Sequence, residues 1–504
     1  MAPGLISEQI RIDNSAPMFL YESRDSEMVQ TNSAGGDEVH NPSLERSSQK
    51  PGHQANALTP PLSPTERNEM NDLVCIGFGP AGLGIAVALN DMYGSDTTGN
   101  AGSETTIRQR VRFLEKQSNF SWHPGMLLPG AKMQISFIKD LATLRDPRSY
   151  FTFLNYLKEE QRLVQFTNLS TFLPSRLEFE RYMRWAANHF ESSVDYSEEV
   201  TSVRPIRYVT GQKYDRLEIE SRNCRTGHTS KRISKNVVIA VGGYQSRPAI
   251  FQKHNHRILH TSEYLTKIVA VVGSGQSAAE VFNDLHTRYP NASTRLIMRD
   301  TALRPSDDSP FVNEVFDPSA VDTFYHADRH QRDEAIKKNR ATNYSVVRLP
   351  LLEHIYESMY TQSIEEPDRS KWQHQILPSR DVVGVSEEGA DQKISLALRR
   401  LDSGDGKNEE NASFDAVILA TGYKRDQHIA MLEACQEINS SKDGSWTPNR
   451  DYSLGLDRSM VEADVGIWLQ GANESSHGLA DSLLSIIATR SGELVQSIFG
   501  NGKR

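Results

Sequence analysis

The residues in this chain with the clearest chemical use are glycines at two distant turns. Gly77, Gly79 and Gly82, with Phe78, Pro80 and Ala81 among them, follow the apolar run 73–76. Gly273 and Gly275, with Ser274 between them and Gln276, Ser277 and Ala278 behind, follow the apolar run 268–272. Each turn stands where a buried strand would pass into a helix, expected over 82–89 in the first case and 277–289 in the second. Glycine permits the tight turn and lets backbone N–H groups approach a pyrophosphate, which then rests on the positive end of the helix. One such motif is weak evidence. Two in strand–turn–helix settings imply a protein that holds two dinucleotides, and so redox chemistry.

The strand ends that follow the turns separate the two cofactors. Residues 111–115 read as a strand ending in Glu115, an acid suited to a ribose 2′-hydroxyl. The Gly/Ser/Thr-rich insertion 94–106 lengthens the usual spacing of about 20 residues. Residues 294–299 read as the corresponding strand of the second unit and end in Arg299, whose guanidinium suits a 2′-phosphate. FAD is therefore expected on the first turn and NADPH on the second. Asp300 leaves a free ribose, and hence NADH, as the alternative.

These residues need elements to carry them. Two further apolar runs, 236–244 and 415–423, bracket the second turn and each ends in glycine and tyrosine. They mark where the chain would leave an FAD domain for an inserted NADPH domain and then return. A strand over 465–471 and a closing helix over 480–499, with Ser485 near its start, would complete the first domain. The expected class is α/β, with two Rossmann-like dinucleotide-binding domains, the FAD domain discontinuous and the NADPH domain inserted.

Composition narrows the partners. The 504 residues carry 56 Lys+Arg against 65 Asp+Glu, and no long basic run supplies a nucleic-acid footprint. No apolar stretch reaches the ~18 residues of a membrane span. Cys75, Cys224 and Cys435 are far apart and form no C-x-x-C pair, so they read as reduced thiols, and a disulfide reductase is excluded. Residues 1–70 are expected to be a disordered tail, because from Thr31 to Asp72 aliphatics are few. Its Thr-Pro and Ser-Pro sites (residues 59–64) suit either a plain linker or a proline-directed kinase. The acids of the opening residues argue against an organelle transit peptide, and Gly502-Lys503-Arg504 is not a peroxisomal signal. A cytoplasmic location is expected.

Several segments go beyond a generic dinucleotide fold. These are Phe120-Ser121-Trp122-His123-Pro124-Gly125-Met126, the stretch 133–141 beginning Met133-Gln134, Asn343-Tyr344-Ser345, and the stretch 477–485 beginning His477-Gly478-Leu479. With them the chain resembles the flavin-dependent N-hydroxylating monooxygenases over residues 72–499, and within these the fungal ornithine-hydroxylating branch that opens hydroxamate siderophore synthesis. The resemblance implies FAD, NADPH, O2 and L-ornithine as reactants, a C(4a)-hydroperoxyflavin as the oxygen donor, and a homotetramer. It implies a discontinuous FAD domain, its first segment at 71–244 and its second at 415–504, the latter with a substrate-site helix. Between them it implies an NADPH domain at 245–414, with substrate segments at about 304–360. A small, largely helical substrate region accompanies them.

Particular roles also come from the resemblance. Trp122, His123 and Gln134 would line the flavin; Gln276, Ser277 and Arg299 would contact NADPH; Leu483 would lie at the cofactor. Lys139, Asn313 and Asn343 would grip the amino-acid end of the substrate, Lys139 through its carboxylate, and Ser485 would close the far end. No catalytic side chain and no metal are expected, since the flavin is the reagent. On residue type alone, Lys139 reads equally as a solvated lysine and His123 as a loop histidine. Asn313 and Asn343 read as turn formers, and Ser485 as a hydroxyl bonded to its own helix. A related monooxygenase acting on lysine or another amine, or a non-catalytic NADP(H)-binding redox sensor, are the competing functions.

Overall fold

The strand Asn71–Ile76 feeds two cores at once, because Leu73 and Cys75 point to one face and Val74 and Ile76 to the other. That two-sided burial is why the run is continuously apolar instead of alternating. The computed structural model describes residues 62–63, 70–93, 109–209, 211–252, 268–388, 393–402 and 409–500. The expected tail 1–70, apart from residues 62–63 and 70, and the insertion 94–106 lie outside the described residues.

Among the described residues the fold is mixed α/β, built on two parallel sheets. In the first, Val194–Tyr196, Gln109–Glu115, Asn71–Ile76, Thr229–Ile239 and Gly466–Leu469 run parallel in that order. Leu62–Ser63 also pairs with Gln109–Glu115. Thr229–Ile239 serves two partners. Its second half joins the parallel array, with Ile239 opposite both Ile76 and Leu469, while its first half carries an antiparallel meander of Glu198–Ile206 and Arg216–Asn223. The helices Pro80–Tyr93 and Ile487–Phe499 pack together over the Leu73/Cys75 face, burying Ile85, Leu89, Ile487 and Leu494.

The second sheet orders His374–Leu377, Ser293–Ile297, Ile268–Val272 and Ala416–Leu419, all parallel. The helix Gln276–Arg288 covers one face through Ala279, Phe282 and Leu285. The antiparallel sheet of Arg380–Glu388, Lys393–Arg400 and Glu409–Phe414 covers the other, with Leu396 and Phe414 packed on Ile297 and Leu419. The two crossings between the sheets lie side by side, since Tyr244–Gln245 pairs antiparallel with Tyr423–Lys424.

The structure corrects the expected closing helix. Residues 480–499 are not one helix: short 3-10 turns at Leu479–Ser482 and Leu484–Ile486 precede the α-helix Ile487–Phe499. Leu483 breaks the phase with an extended backbone (φ −109°, ψ 165°). Ile487 and Leu494 belong to the core under the first sheet, whereas Leu479, Ala480 and Ile486 join a separate cluster with Phe316 and Val321. One straight helix cannot serve both clusters, so Ser485 sits on a 3-10 turn ahead of the helix. The strand ending in Arg299 is also shorter than expected. It stops at Ile297, leaving Met298 buried and Arg299 exposed beyond it.

Candidate active site

The two glycine turns are built alike. Gly77 has φ +98°, and a Cβ there would lie 2.5 Å from the carbonyl oxygen of Ala240. Gly273 has φ +147°, and its Cβ would lie 2.4 Å from the carbonyl oxygen of Ala420. The bracketing runs 236–244 and 415–423 therefore supply the backbone that each turn must clear. A Cβ at Gly82 would meet the Gly77 carbonyl at 2.2 Å, which holds the start of the first helix tight against its turn. At the same position of the second turn Ala278 is fully buried, so a methyl fits there. Gly79, by contrast, has nothing within 4 Å of a Cβ, and Gly275 meets only the Ser345 backbone at 3.6 Å. Gly79 thus faces open space ahead of its helix, and Gly275 is free of close overlap ahead of its own, as an approaching pyrophosphate requires.

Glu115 is buried at its strand end and accepts hydrogen bonds from Phe78 N (2.7 Å) and Gln117 N (2.9 Å). The acid first fixes the turn, and each oxygen retains a lone pair for a ribose hydroxyl. At the second unit, Asp300 accepts from Arg304 Nε and Nη2 (both 3.2 Å) and from Thr301 N (2.8 Å). Arg304 and these N–H groups hold its carboxyl below the usual range. Asp300 is engaged by its own loop, while Arg299 stands exposed.

Trp122 and His123 lie beside the crossing strands. The His123 ring meets Trp122 at 5.5 Å and Tyr423 at 5.6 Å. Its backbone is left-handed (φ 44°, ψ 49°), which is uncommon for a residue with a Cβ. His123 is exposed to solvent, although protein atoms surround its ring closely. Enclosure, with the charges of Arg176 and Arg425 nearby, pushes its pKa down to about 4, so it is neutral at pH 7. Gln134 is exposed next to the buried Met133.

Tertiary packing brings three distant segments together. The 3-10 turn Val312–Phe316, which carries Asn313, joins Tyr344, Leu479, Leu483 and Ile486 in one apolar cluster. Asn343 and Ser485 are the immediate neighbours of Tyr344 and Ile486 in that cluster. The Ser485 side chain is buried, and its Oγ has no hydrogen-bond partner. Asn313 Nδ2 donates to Asp308 O (2.8 Å), the bond expected of a turn former. Lys139 is half-buried, and its ammonium contributes, after the N–H and hydroxyl of Ser319, to holding the Asp317 carboxyl low. It therefore lies within electrostatic reach of the segment that follows Asn313.

Sequence reasoning assigned no role to Tyr344, Glu474, Arg176, Glu280 or Arg348. Tyr344 Oη donates to Glu474, and burial together with that carboxylate pushes its pKa up to about 12. Arg176, Glu280 and Arg348 connect the two sheets by hydrogen bonds across as many as 215 positions of sequence. Only the adjacency of Tyr344 to Asn343 could have drawn attention to any of them. Among the described residues no helix is long and apolar enough to cross a membrane.

Two glycine turns set in parallel sheets, with the rings of Trp122, His123 and Tyr423 at the crossing between them, are the framework of a two-cofactor oxidoreductase. Residues 69–425 match the family described as L-lysine 6-monooxygenase/L-ornithine 5-monooxygenase. The chain is 51% identical over 464 residues to an L-ornithine N(5)-monooxygenase of Emericella nidulans, covering 88% of this chain and 93% of that one. Among solved structures it is similar to the ornithine hydroxylase PvdA of Pseudomonas aeruginosa, with a TM-score of 0.76, 37% identity and coverage of 86% and 100%. It is likewise similar to an ornithine N-hydroxylase of Kutzneria sp. 744 described with reduced FAD, NADP+ and L-ornithine (TM-score 0.73, 32% identity, coverage 86% and 100%). The chain belongs to the L-lysine 6-monooxygenase/L-ornithine 5-monooxygenase family. It is a monooxygenase.

Proposed function

We propose that this chain hydroxylates the side-chain amine of L-ornithine to N(5)-hydroxy-L-ornithine, consuming NADPH and O2, as the first step of hydroxamate siderophore synthesis. The convergence of the Asn313, Asn343 and Ser485 segments in one cluster, with Lys139 within electrostatic reach of Asp317 beside it, carries this reading. FAD belongs on the first turn, against Gly77, Gly79, Pro80, Gly82 and Glu115, with Trp122, His123 and Gln134 at its ring and Leu483 close by. NADPH belongs on the second, against Gly273, Gly275, Gln276 and Ser277. Arg299 takes the 2′-phosphate, since Asp300 is occupied by Arg304. The matching domains are Rossmann-like, at 71–244 with 415–504 for FAD and 245–414 for NADPH. Assembly as a homotetramer and a cytoplasmic location complete the reading.

Reduced FAD, once it has reacted with O2, supplies the oxygen atom. The protein's role is to hold the amine where it can attack. The Lys139 ammonium pairs with the substrate carboxylate, while Asn313 and Asn343 present amides to the same end. Asn313 releases Asp308 O to do so. The unpartnered Ser485 Oγ gains a partner when the pocket fills. Gripping one end sets how far the terminal nitrogen reaches, so the extra methylene of lysine misplaces it. A neutral His123 adds no positive charge against the amine, which must be unprotonated to attack although a free alkylamine has a pKa near ~10.

The test is to supply the purified, FAD-loaded protein with NADPH and O2 and measure hydroxylated product from ornithine and lysine in parallel. Product from ornithine well in excess of product from lysine is expected. No product from ornithine refutes the function, and equal rates refute the role of chain length.

A further inference from the structure

Glu280 is a carboxylate only 8% exposed, in the second turn of the helix Gln276–Arg288, and both of its oxygens are engaged. Oε2 accepts from Arg176 Nη1 at 2.6 Å, and Oε1 accepts from Gln276 Nε2 at 2.7 Å. Arg176 opens the helix Arg176–Asn188 that packs under the first sheet, and it also donates to Met126 O at 3.4 Å. Gln276 uses its remaining amide atom as well: Oε1 accepts from Arg348 N at 2.9 Å. Arg348 Nη1 then donates to Met133 O at 3.2 Å, next to Gln134. One carboxylate therefore closes a ring of hydrogen bonds that fastens the N-terminus of the second-turn helix to the stretch of chain that carries His123 and Gln134.

From this ring we infer that Glu280 is a positioning residue for hydride transfer. It touches neither cofactor and acts through Gln276 and Arg176. The inference rests on the assignment of FAD to the first turn and NADPH to the second. Transfer of a hydride from nicotinamide to flavin requires the two rings at contact distance, and the rings are held by different sheets. Backbone N–H groups of the second turn bind the pyrophosphate whatever Glu280 does, so affinity for the nucleotide is largely independent of it. The distance between the rings is not, because it depends on how the helix N-terminus is pinned to the first sheet. A misplacement of about 1 Å can cost on the order of 100-fold in rate. Glu280→Ala removes the acceptor for both Arg176 and Gln276. Glu280→Gln keeps an oxygen for one of them at nearly the same shape.

The experiment compares wild type, Glu280→Ala, Glu280→Gln and the control Asp284→Asn. Asp284 lies one turn further along the same helix, where it pairs with Arg288 at 2.7 Å. Anaerobic reduction of bound flavin by NADPH and by its deuterated form is followed by stopped flow. NADP+ affinity is measured by calorimetry. Amide exchange at Arg348 is measured in flavin-free protein. Glu280→Ala is expected to slow reduction at least about tenfold, with the isotope effect fully expressed and the NADP+ Kd within about threefold. Arg348 N–H is expected to exchange at least about tenfold faster, because Gln276 is no longer held to receive it. Glu280→Gln should recover most of the reduction rate, and Asp284→Asn should match wild type. An unchanged reduction rate in Glu280→Ala, an equal loss in Asp284→Asn, or a loss confined to Kd overturns the inference. If Glu280→Ala does not fold, Glu280→Gln decides, because its single oxygen serves only one of the two donors. A partial loss of reduction rate with a partial rise in Arg348 exchange at unchanged NADP+ Kd then counts in favour of the inference, and wild-type values of both overturn it. A loss of rate in Glu280→Gln with Arg348 protection unchanged counts against it. Failure of NADPH to reduce wild-type flavin strikes the cofactor assignment itself and is read without any variant.

Discussion

Gly77 and Gly79 are two residues apart, yet replacing each with alanine should produce opposite failures. At Gly77 the new methyl would sit 2.5 Å from Ala240 O and 2.9 Å from Ala240 C. Neither atom can withdraw, because Ala240 N donates to Ile76 O at 2.8 Å and the strand before it is paired on both sides. Non-glycine strain at φ +98° costs about 1–3 kcal/mol and the overlap about 1–3 more, so a loss of roughly 2–6 kcal/mol is expected. At Gly79 a methyl meets no protein atom within 4 Å and needs no unusual φ. Gly79→Ala should therefore leave the flavin-free protein as stable as wild type, or more stable by about 0.4–1 kcal/mol. It should nonetheless lose flavin affinity, because the methyl projects into the space the pyrophosphate needs. Urea unfolding of flavin-free protein measures the first effect, and fluorescence titration with FAD measures the second. The reasoning is refuted if Gly79→Ala destabilises the free protein as much as Gly77→Ala, or if it binds FAD as tightly as wild type.

Three further outcomes are expected. Lys139→Ala removes a charge-assisted bond of about 1.5–3 kcal/mol, raising the ornithine KM roughly 10- to 150-fold while NADPH still reduces the flavin. An unchanged KM takes Lys139 out of the carboxylate site. Arg299→Ala should erase most of the preference for NADPH over NADH in flavin-reduction assays, because Asp300 is tied to Arg304 and does not compete. A preference that survives places the 2′-phosphate elsewhere. Stability should also fall in mild acid through His374, which is 3% exposed, stacked on His286 at 3.8 Å, and within 2.7 Å of Thr294 Oγ1 at its Nδ1. Burial and the neighbouring His286 push its pKa down to about 3, below the ~6.5 of an unfolded histidine. The unfolded chain thus binds the proton first. This contribution is complete above about pH 6.5 and shrinks as pH falls, by about 2 kcal/mol at pH 5. Urea midpoints between pH 5 and 8 for wild type and His374→Asn should converge toward the acid end, and parallel curves would refute the assignment.

Local sequence determined the paired strand–turn–helix units, because their requirements are met within a few residues. An apolar run buried on both faces, a glycine that tolerates positive φ and a helix start are all adjacent in the chain. The places of Gly77 and Gly273 in their turns and of Glu115 at its strand end were legible for that reason, whereas the strand before Arg299 stops two residues short of it. What lies across the fold was settled by packing. The expected helix over 480–499 breaks at Leu483 because Ile486 and Leu494 are drawn into different cores, and no periodicity within the segment encodes a choice between two distant clusters. Convergence of Asn313, Asn343 and Ser485 depends on Phe316, Tyr344 and Leu479 finding one another. The ring closed by Glu280 likewise arises only when groups distant in sequence must be satisfied together in a buried space.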